Sequence, residues 1–358
     1  MRKGFADLPL HRGKAPPWLF NRMVLLSKSI VEIIVEEFGT ETFLERISDP
    51  IWFQSLGCVL GFDWHSSGLT TTVCGAIKEA LRDIGNEINI FAAGGKGKVA
   101  LKTPEEIRNV ADKTGVDGDR LIYISRLVAK VDNTALQDGY NLYHHVIFFD
   151  GSGRWAIVQQ GMSESEGYAR RYHWFSGSVE DFVKEPHRGI CSLRKHEKIP
   201  LNMVAEESED SRNVILSIFK EDSVKREIGK IKWLRLPKRH YIRAEDLRFE
   251  NVKKLLEKSK AFNIEDFKDI LLIPGLGSKS LRALALVAEI IFGAEPSFKD
   301  PVRYTFAHGG KDGHPYPVER KVYDGTVESL KKAIERAKIG RREKIEAIKR
   351  LAKVFQGL

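Results

Sequence analysis

NLYHHVIFFDGSGRWAIVQQGM, residues 141–162, is the stretch whose reading decides the kind of fold this chain adopts. Two runs rich in β-branched and aromatic residues flank a Gly-Ser-Gly turn, which predicts a β-hairpin over 141–150 and 154–162. Helical patterns surround it. Upstream, Met23, Leu26, Ile30, Ile33 and Ile34 recur at helical spacing and predict a helix ending near Gly39, with a second running through Leu44. AIKEALRDIG (76–85) and residues 121–137, stopped by Gly139, predict two more. Near residue 200 the composition shifts to an acidic AEESEDS (205–211), charged helical segments and a basic LRLPKRH (234–240). The expected class is therefore α+β. Residues 1–200 form a mixed α/β domain whose sheet contains the hairpin, and residues 201–358 form an all-helical domain.

A chain of 358 residues, 42% hydrophobic and 30% charged, is globular rather than disordered, and it exceeds the roughly 250 to 300 residues at which single cores stop growing. The longest apolar runs, VEIIV (31–35) and ALALVAEIIF (283–292), fall short of the roughly 20 residues a membrane span needs. No apolar stretch of the secretory kind follows the basic opening MRKGFADLPLHRGKAPPWLF, so a cytoplasmic protein without a membrane partner is expected. Cys58, Cys74 and Cys191, an odd count without close spacing, predict small core residues rather than a disulfide framework. Abundant Lys, Arg and Glu with few Gln match thermophile surfaces, so a thermophilic or archaeal source is expected.

The net charge of +9 favours a polyanionic partner, because lysine and arginine beside phosphates release counterions. Residues 331–358 hold ten basic and three acidic side chains, which makes Arg341, Arg342 and Lys344 candidate DNA contacts; a solvated helix face is the plainer alternative.

Residues 264–293 carry the sharpest signal. IEDFKDILL predicts a short helix ending before Pro274, Gly275-Leu276-Gly277 a tight turn, and Ser278 to Ile291 a second helix with Leu281, Leu284, Ala285, Ala288 and Ile291 inward. The first turn of that helix has unpartnered N–H groups, and glycines let a phosphate approach the backbone. Gly275, Leu276, Gly277, Ser278, Lys279 and Ser280 are thus a candidate phosphate seat. The stretch resembles the helix-hairpin-helix motif of DNA repair and replication proteins.

It also resembles the base-excision DNA glycosylases of the endonuclease III superfamily, whose motif runs Leu-Pro-Gly-Val-Gly-x-Lys-Thr. There the lysine attacks the sugar C1′ as a Schiff-base nucleophile, and an aspartate seven residues after a Phe-Gly assists glycosidic bond cleavage. The resemblance assigns the first role to Lys279 and, through Phe292-Gly293, the second to Asp300. A neutral lysine nucleophile needs a desolvated or electropositive pocket, and a carboxylate opposite it would hold developing positive charge. The segment between Lys279 and Phe292 is about three residues longer than the family's, close to one helical turn. A lysine that only touches phosphate is the alternative role. Nearby, YTFAHGGKDGHPYPVER (304–320) offers His308, His314 and Tyr316 as neighbours.

Residues 55–175 hold a second constellation. LGCVLGFDWHSSGLTTTVCG (56–75) reads as a polar, glycine-rich loop containing Asp63 and His65, and AAGGKGK as a glycine-rich turn bearing Lys96 and Lys98. Arg126, Lys130, Asn133 and Gln137 share a helical face, followed by Asp138, Tyr140, His144 and His145. The two histidines must point to opposite faces of a strand, so they cannot both bind one metal. Asp63 and His65 with His144 or His173 would suit a divalent metal for phosphodiester chemistry, whereas buried, hydrogen-bonded histidines need no ligand. Arg171, Tyr172 and Trp174 would combine phosphate contact with base stacking, or simply fill the core.

Over essentially its full length the chain is similar to a family of archaeal and thermophile proteins of unknown function sharing RKGxADLPLHxGKAPPWLF, LGxDWHSSG, AKVDNxALQDGY and QQGM. These stand at 2–20, 60–68, 129–140 and 159–162. Three readings follow. The first is a DNA glycosylase or abasic-site lyase that needs no cofactor, the second a metal-dependent nuclease with the hairpin as its grip, and the third a non-enzymatic DNA-binding or scaffold protein. The expected partner of all three is DNA, double-stranded and in the first case damaged.

Overall fold

The computed structural model describes residues 15–62, 67–163, 167–192, 200–221, 249–302, 320–337 and 339–356. The elements that decide the fold are the strands β1 (Ile90–Lys96), β3 (Asn141–Asp150), β4 (Trp155–Ser163), β5 (Tyr168–Phe175) and β6 (Gly189–Cys191). They form one five-stranded antiparallel sheet in the order β1-β3-β4-β5-β6. The predicted hairpin is its centre: Asp150 caps the Gly151–Gly153 turn by accepting from the Ser152 and Arg154 amides. A two-stranded ribbon, β2 (Leu136–Gln137) with β7 (Leu201–Asn202), lies apart from it.

Alternation along β3 and β4 gives the sheet two apolar faces, as a strand with side-chain period two must when both sides are covered. Val146, Phe148, Ala156 and Val158 pack with α1 (Pro17–Ser48), α2 (Pro50–Leu60), α3 (Gly68–Ile88), α10 (Arg320–Arg336) and α11 (Arg341–Gln356). Ile147, Phe149, Trp155 and Ile157 pack with α4 (Thr103–Thr114), α5 (Gly118–Lys130), α6 (Glu209–Lys220), α7 (Phe249–Ser259), α8 (Phe267–Leu272) and α9 (Ser278–Phe292). Both clusters take residues from before and after position 200. Phe148, fully buried, meets the edge of Phe43 with ring centres 6.4 Å apart, and truncating such a side chain to alanine costs about 3 to 5 kcal/mol.

One local expectation holds in substance: the first helix ends at Gly39, whose φ of 83° is non-helical, and the second follows directly to Ser48, the two together making the kinked α1. Several others are corrected. Most of the polar stretch 56–75 is helical, because Leu56–Leu60 end α2 and Gly68 opens α3. AAGGKGK is edge strand β1 running into a 3-10 turn, Gly97–Lys102, rather than a free turn. Gly94 is required inside that strand: its φ is 102° and a β-carbon would stand 2.2 Å from the His145 carbonyl oxygen. The helix expected over 121–137 ends at Lys130, gives one π-helical turn, Val131–Ala135, and enters β2.

Among the described residues no helix is long and apolar enough to cross a membrane. Cys58, Cys74 and Cys191 are buried thiols outside any disulfide.

Candidate functional site

The antiparallel register aligns polar residues across the whole sheet. Lys96 lies opposite His144, His144 opposite Gln160, Gln160 opposite Arg171, and Arg171 opposite Cys191. Directly opposed residues share a face, so these five form one row on the side of α1–α3. The neighbouring row on the other face runs Gly95, His145, Gln159, Tyr172, Ile190. A β-bulge interrupts β3 at this level, because Leu142 pairs with Gly161 and His144 with Gln160, leaving Tyr143 extra.

On the α1–α3 face, Gln160 Nε2 donates to the Ser67 carbonyl at 2.9 Å and to the Tyr143 hydroxyl. Its Oε1 and both ring nitrogens of His144 are buried without a hydrogen-bond partner. Burial, with the positive charges of Lys96 and Lys78 behind it, drops the His144 pKa to about 3, so the ring stays neutral in neutral solution. Arg171, fully buried, donates to His173 Nε2 at 2.7 Å and Gln54 Oε1 at 2.9 Å, and lies over the Phe53 ring. Offered as a DNA contact, it instead ties β5 to α2 from inside the core. Burial lowers the pKa of His173 well below its usual value and pushes the Cys191 thiol up to about 11.

On the opposite face the polar groups form a continuous buried chain. Asp132, in the π-helical turn, accepts from Gln159 Nε2, from Trp174 Nε1 at 2.9 Å and from His187 Nε2. With its amide nitrogen committed, Gln159 turns Oε1 to the Nδ1–H of His145, whose Nε2 then accepts from Ser125 Oγ, both at 2.8 Å. Burial lowers the His145 pKa, in keeping with a neutral ring of that tautomer.

Next along the sheet, Arg170 is shared by two carboxylates. It donates to Asp138 at 2.8 Å and bidentately to Asp300 at 3.1 and 2.8 Å, and its guanidinium lies over the Tyr140 ring. Asp138 also accepts from the Tyr172 hydroxyl at 2.7 Å, and burial raises its pKa despite Arg170. The two negative neighbours hold the Arg170 pKa above its usual value against desolvation.

The Gly275–Gly277 turn docks on the π-helical segment. Lys130 Nζ donates to the Leu276 carbonyl at 2.8 Å, Gln137 Nε2 to the Ser278 carbonyl at 2.8 Å, and Ser278 Oγ to the Asn133 carbonyl at 3.0 Å. Arg282 Nε donates to Gln137 Oε1 at 2.9 Å. Asp266 caps α8 with a reciprocal Asp269 contact, while α9 starts at Gly277 with no side-chain cap. Leu276 is buried and fixes the turn from below; Pro274, Gly275 and Lys279 are exposed.

Candidate residues meet in two places: Lys96, His144 and Arg171 share one row, with His173 beside it on the same face, and Lys130 and Gln137 reach the glycine turn, a contact the sequence did not suggest. Others are kept apart. Asp300 and Tyr140 belong with Arg170, while Lys279 stands exposed on the first turn of α9. Arg341, Arg342 and Lys344 begin α11, on the sheet face opposite the α8–α9 pair. Arg126 is exposed on α5, and Tyr172 and Trp174 are wholly buried. Asp63, His65, His308, His314 and Tyr316, with LRLPKRH, lie outside the described residues. Among the described residues no three His, Cys, Asp or Glu side chains gather as a metal site. Tyr143, Asp132, Gln159, Gln160 and His187 carry much of the buried geometry without having been singled out; AKVDNTALQDGY and QQGM contain three of them.

No curated protein and no solved structure matches this chain. Residues 4–318 match the family described as "protein of unknown function (DUF763)", and the chain belongs to that family.

Proposed function

We propose that this is a DNA-binding protein of DNA repair and that α8, the Ile273–Gly277 turn and α9 act as a helix-hairpin-helix grip on a backbone phosphate. The observation that carries the reading is the exposed glycine turn at the uncapped start of α9, fastened from behind by Lys130, Gln137 and Asn133. Free amides at a helix start give donors and the positive end of a dipole, and the exposed Lys279 adds a charge beside them. Rigid backing matters because a pre-set turn loses little freedom on binding.

Within this reading Lys279 is a phosphate contact. The lyase role needs a desolvated amine and a carboxylate available to it, yet Lys279 is exposed and both Asp300 oxygens are bound by Arg170. Duplex binding measured by anisotropy over a series of salt concentrations tests the grip, with Lys279→Ala expected to weaken binding and lower the salt slope by about 1. Unchanged affinity and slope would remove the hairpin from the interface. Borohydride trapping on an abasic-site duplex in EDTA tests the lysine chemistry separately: a covalent complex lost in Lys279→Ala would restore the lyase role.

A further inference from the structure

The row on the α1–α3 face contains hydrogen-bonding capacity that the protein does not use. His144 is 2% exposed and Gln160 0%, they are cross-strand neighbours, and three of their polar atoms have no partner: both imidazole nitrogens and Gln160 Oε1. A buried polar atom without a partner forfeits its hydration, and a ligand that restores the hydrogen bond removes that cost. The bulge at Tyr143 adds a phenol whose oxygen already accepts from Gln160 Nε2, leaving its proton to donate. At the open end of the row Lys96 is exposed, with its amine 5.6 Å from the Tyr143 ring centre and the Gly97–Lys102 turn following it.

The atoms present decide the chemistry. A neutral imidazole gives one N–H donor and one acceptor, and Gln160 Oε1 gives a second acceptor. A bare phosphate or carboxylate brings acceptors only and would set its charge against the Gln160 oxygen. A metal cation would leave the imidazole N–H unmade and face the Lys96 ammonium. A nucleobase edge, which places an N–H donor next to an acceptor, matches the set, and a phosphate attached to it would reach toward Lys96.

We propose that His144 and Gln160, with Tyr143, read the base edge of a nucleotide whose phosphate is held by Lys96. The inference stands independently of the hairpin. Because both side chains are covered, entry requires the Gln160–Ser67 hydrogen bond to yield, exchanging one backbone contact for contacts to the base.

The test is a calorimetric titration of the full chain with the four nucleoside 5′-monophosphates, the parent nucleosides, inorganic phosphate and a short mixed-sequence single strand. Mononucleotides are expected to bind about tenfold more tightly than nucleosides, and inorganic phosphate more weakly than either. Lys96→Ala, at an exposed position, should bring the mononucleotides down to the nucleoside affinity, and Gln160→Leu should abolish both. Since Gln160→Leu is a core change, the ¹⁵N shifts of the wild-type His144 ring provide a second readout and should move on ligand addition. Binding of the single strand alone, lost in Gln160→Leu, would assign the nucleotide to a strand rather than to a free metabolite. Three outcomes overturn the proposal: no binding of any ligand, phosphate binding as tightly as the nucleotides, or a His144 ring that does not respond. Gly277→Ala should leave mononucleotide binding unchanged, which separates this site from the hairpin.

Discussion

Arg170 lies along the carboxylate of Asp300, Nη1 3.1 Å from Oδ1 and Nη2 2.8 Å from Oδ2, with both side chains almost wholly withdrawn from water. The pair joins strand β5 to the chain beyond α9, and Asn202 reinforces the join by donating to the Lys299 carbonyl at 3.1 Å. Removing Asp300 takes two charge-assisted hydrogen bonds from a buried guanidinium and leaves it paired with Asp138 alone. Asp300→Ala is therefore expected to lower the unfolding free energy by about 1.5 to 3 kcal/mol, read from urea titrations. A change under about 1 kcal/mol would show that Asp138 alone satisfies Arg170.

Stability should fall as the solution is acidified from pH 7 toward pH 4. His144, His145 and His173 all have folded-state pKa values depressed by burial, His144 to about 3. Below about pH 6.5 the unfolded chain takes up protons that the folded chain refuses, so stability contributed at neutral pH is lost as pH falls. Each such histidine adds about 1.4 kcal/mol per pH unit between its folded and unfolded values. Asp138, whose pKa is raised, acts in the opposite sense within the carboxylate range. Urea midpoints at pH 7 and pH 5 check the sign, and His144→Gln should flatten the dependence.

The two glycines of the hairpin should respond differently. Gly275 sits at φ 98°, where a side chain is strained, so Gly275→Ala is expected to cost about 1 to 2 kcal/mol of stability. Gly277 has an ordinary extended backbone and open space where a β-carbon would stand. Gly277→Ala should keep its melting temperature and lose duplex affinity, because the methyl group occupies the path of the phosphate. Retained affinity would count against the phosphate seat.

Lys130 touches the hairpin from behind, and burial pulls its pKa below the usual lysine value. Lys130→Met keeps the aliphatic stem and removes the bond to the Leu276 carbonyl. Duplex binding should weaken by about 1 kcal/mol with the salt slope unchanged, since no phosphate contact is lost. A lowered slope would make Lys130 a direct contact instead.

The hairpin at 141–162 and the helix–turn–helix at 264–293 were legible because each is encoded locally: period-two alternation around Gly-Ser-Gly, and Pro-Gly-Leu-Gly between two apolar-periodic runs. The buried networks were not legible, because they are products of register. Gln160 meets Tyr143 and Arg170 meets Asp300 across 17 and 130 residues of chain. The glycines of 56–75 misled for a related reason. Gly57 is helical, and a β-carbon there would stand 2.6 Å from the Leu69 side chain, so its smallness serves helix packing rather than a loop. Aromatic residues beside Arg171 suggested stacking, but Tyr172 and Trp174 spend their polar atoms on Asp138 and Asp132.

The extra residue at Tyr143 makes β3 a strand of two parities. Leu142 packs with the α4–α9 cluster, the same side as His145, although three positions separate them. Removing Tyr143 would restore a regular ladder in which Leu142 still lies opposite Gly161 and keeps its side of the sheet, while the hydroxyl that meets Gln160 would be lost. The bulge therefore adds one side chain to the α1–α3 face without changing the pairing on either side of it, and a related chain one residue shorter here should keep the rest of the sheet and lose only what position 143 supplies.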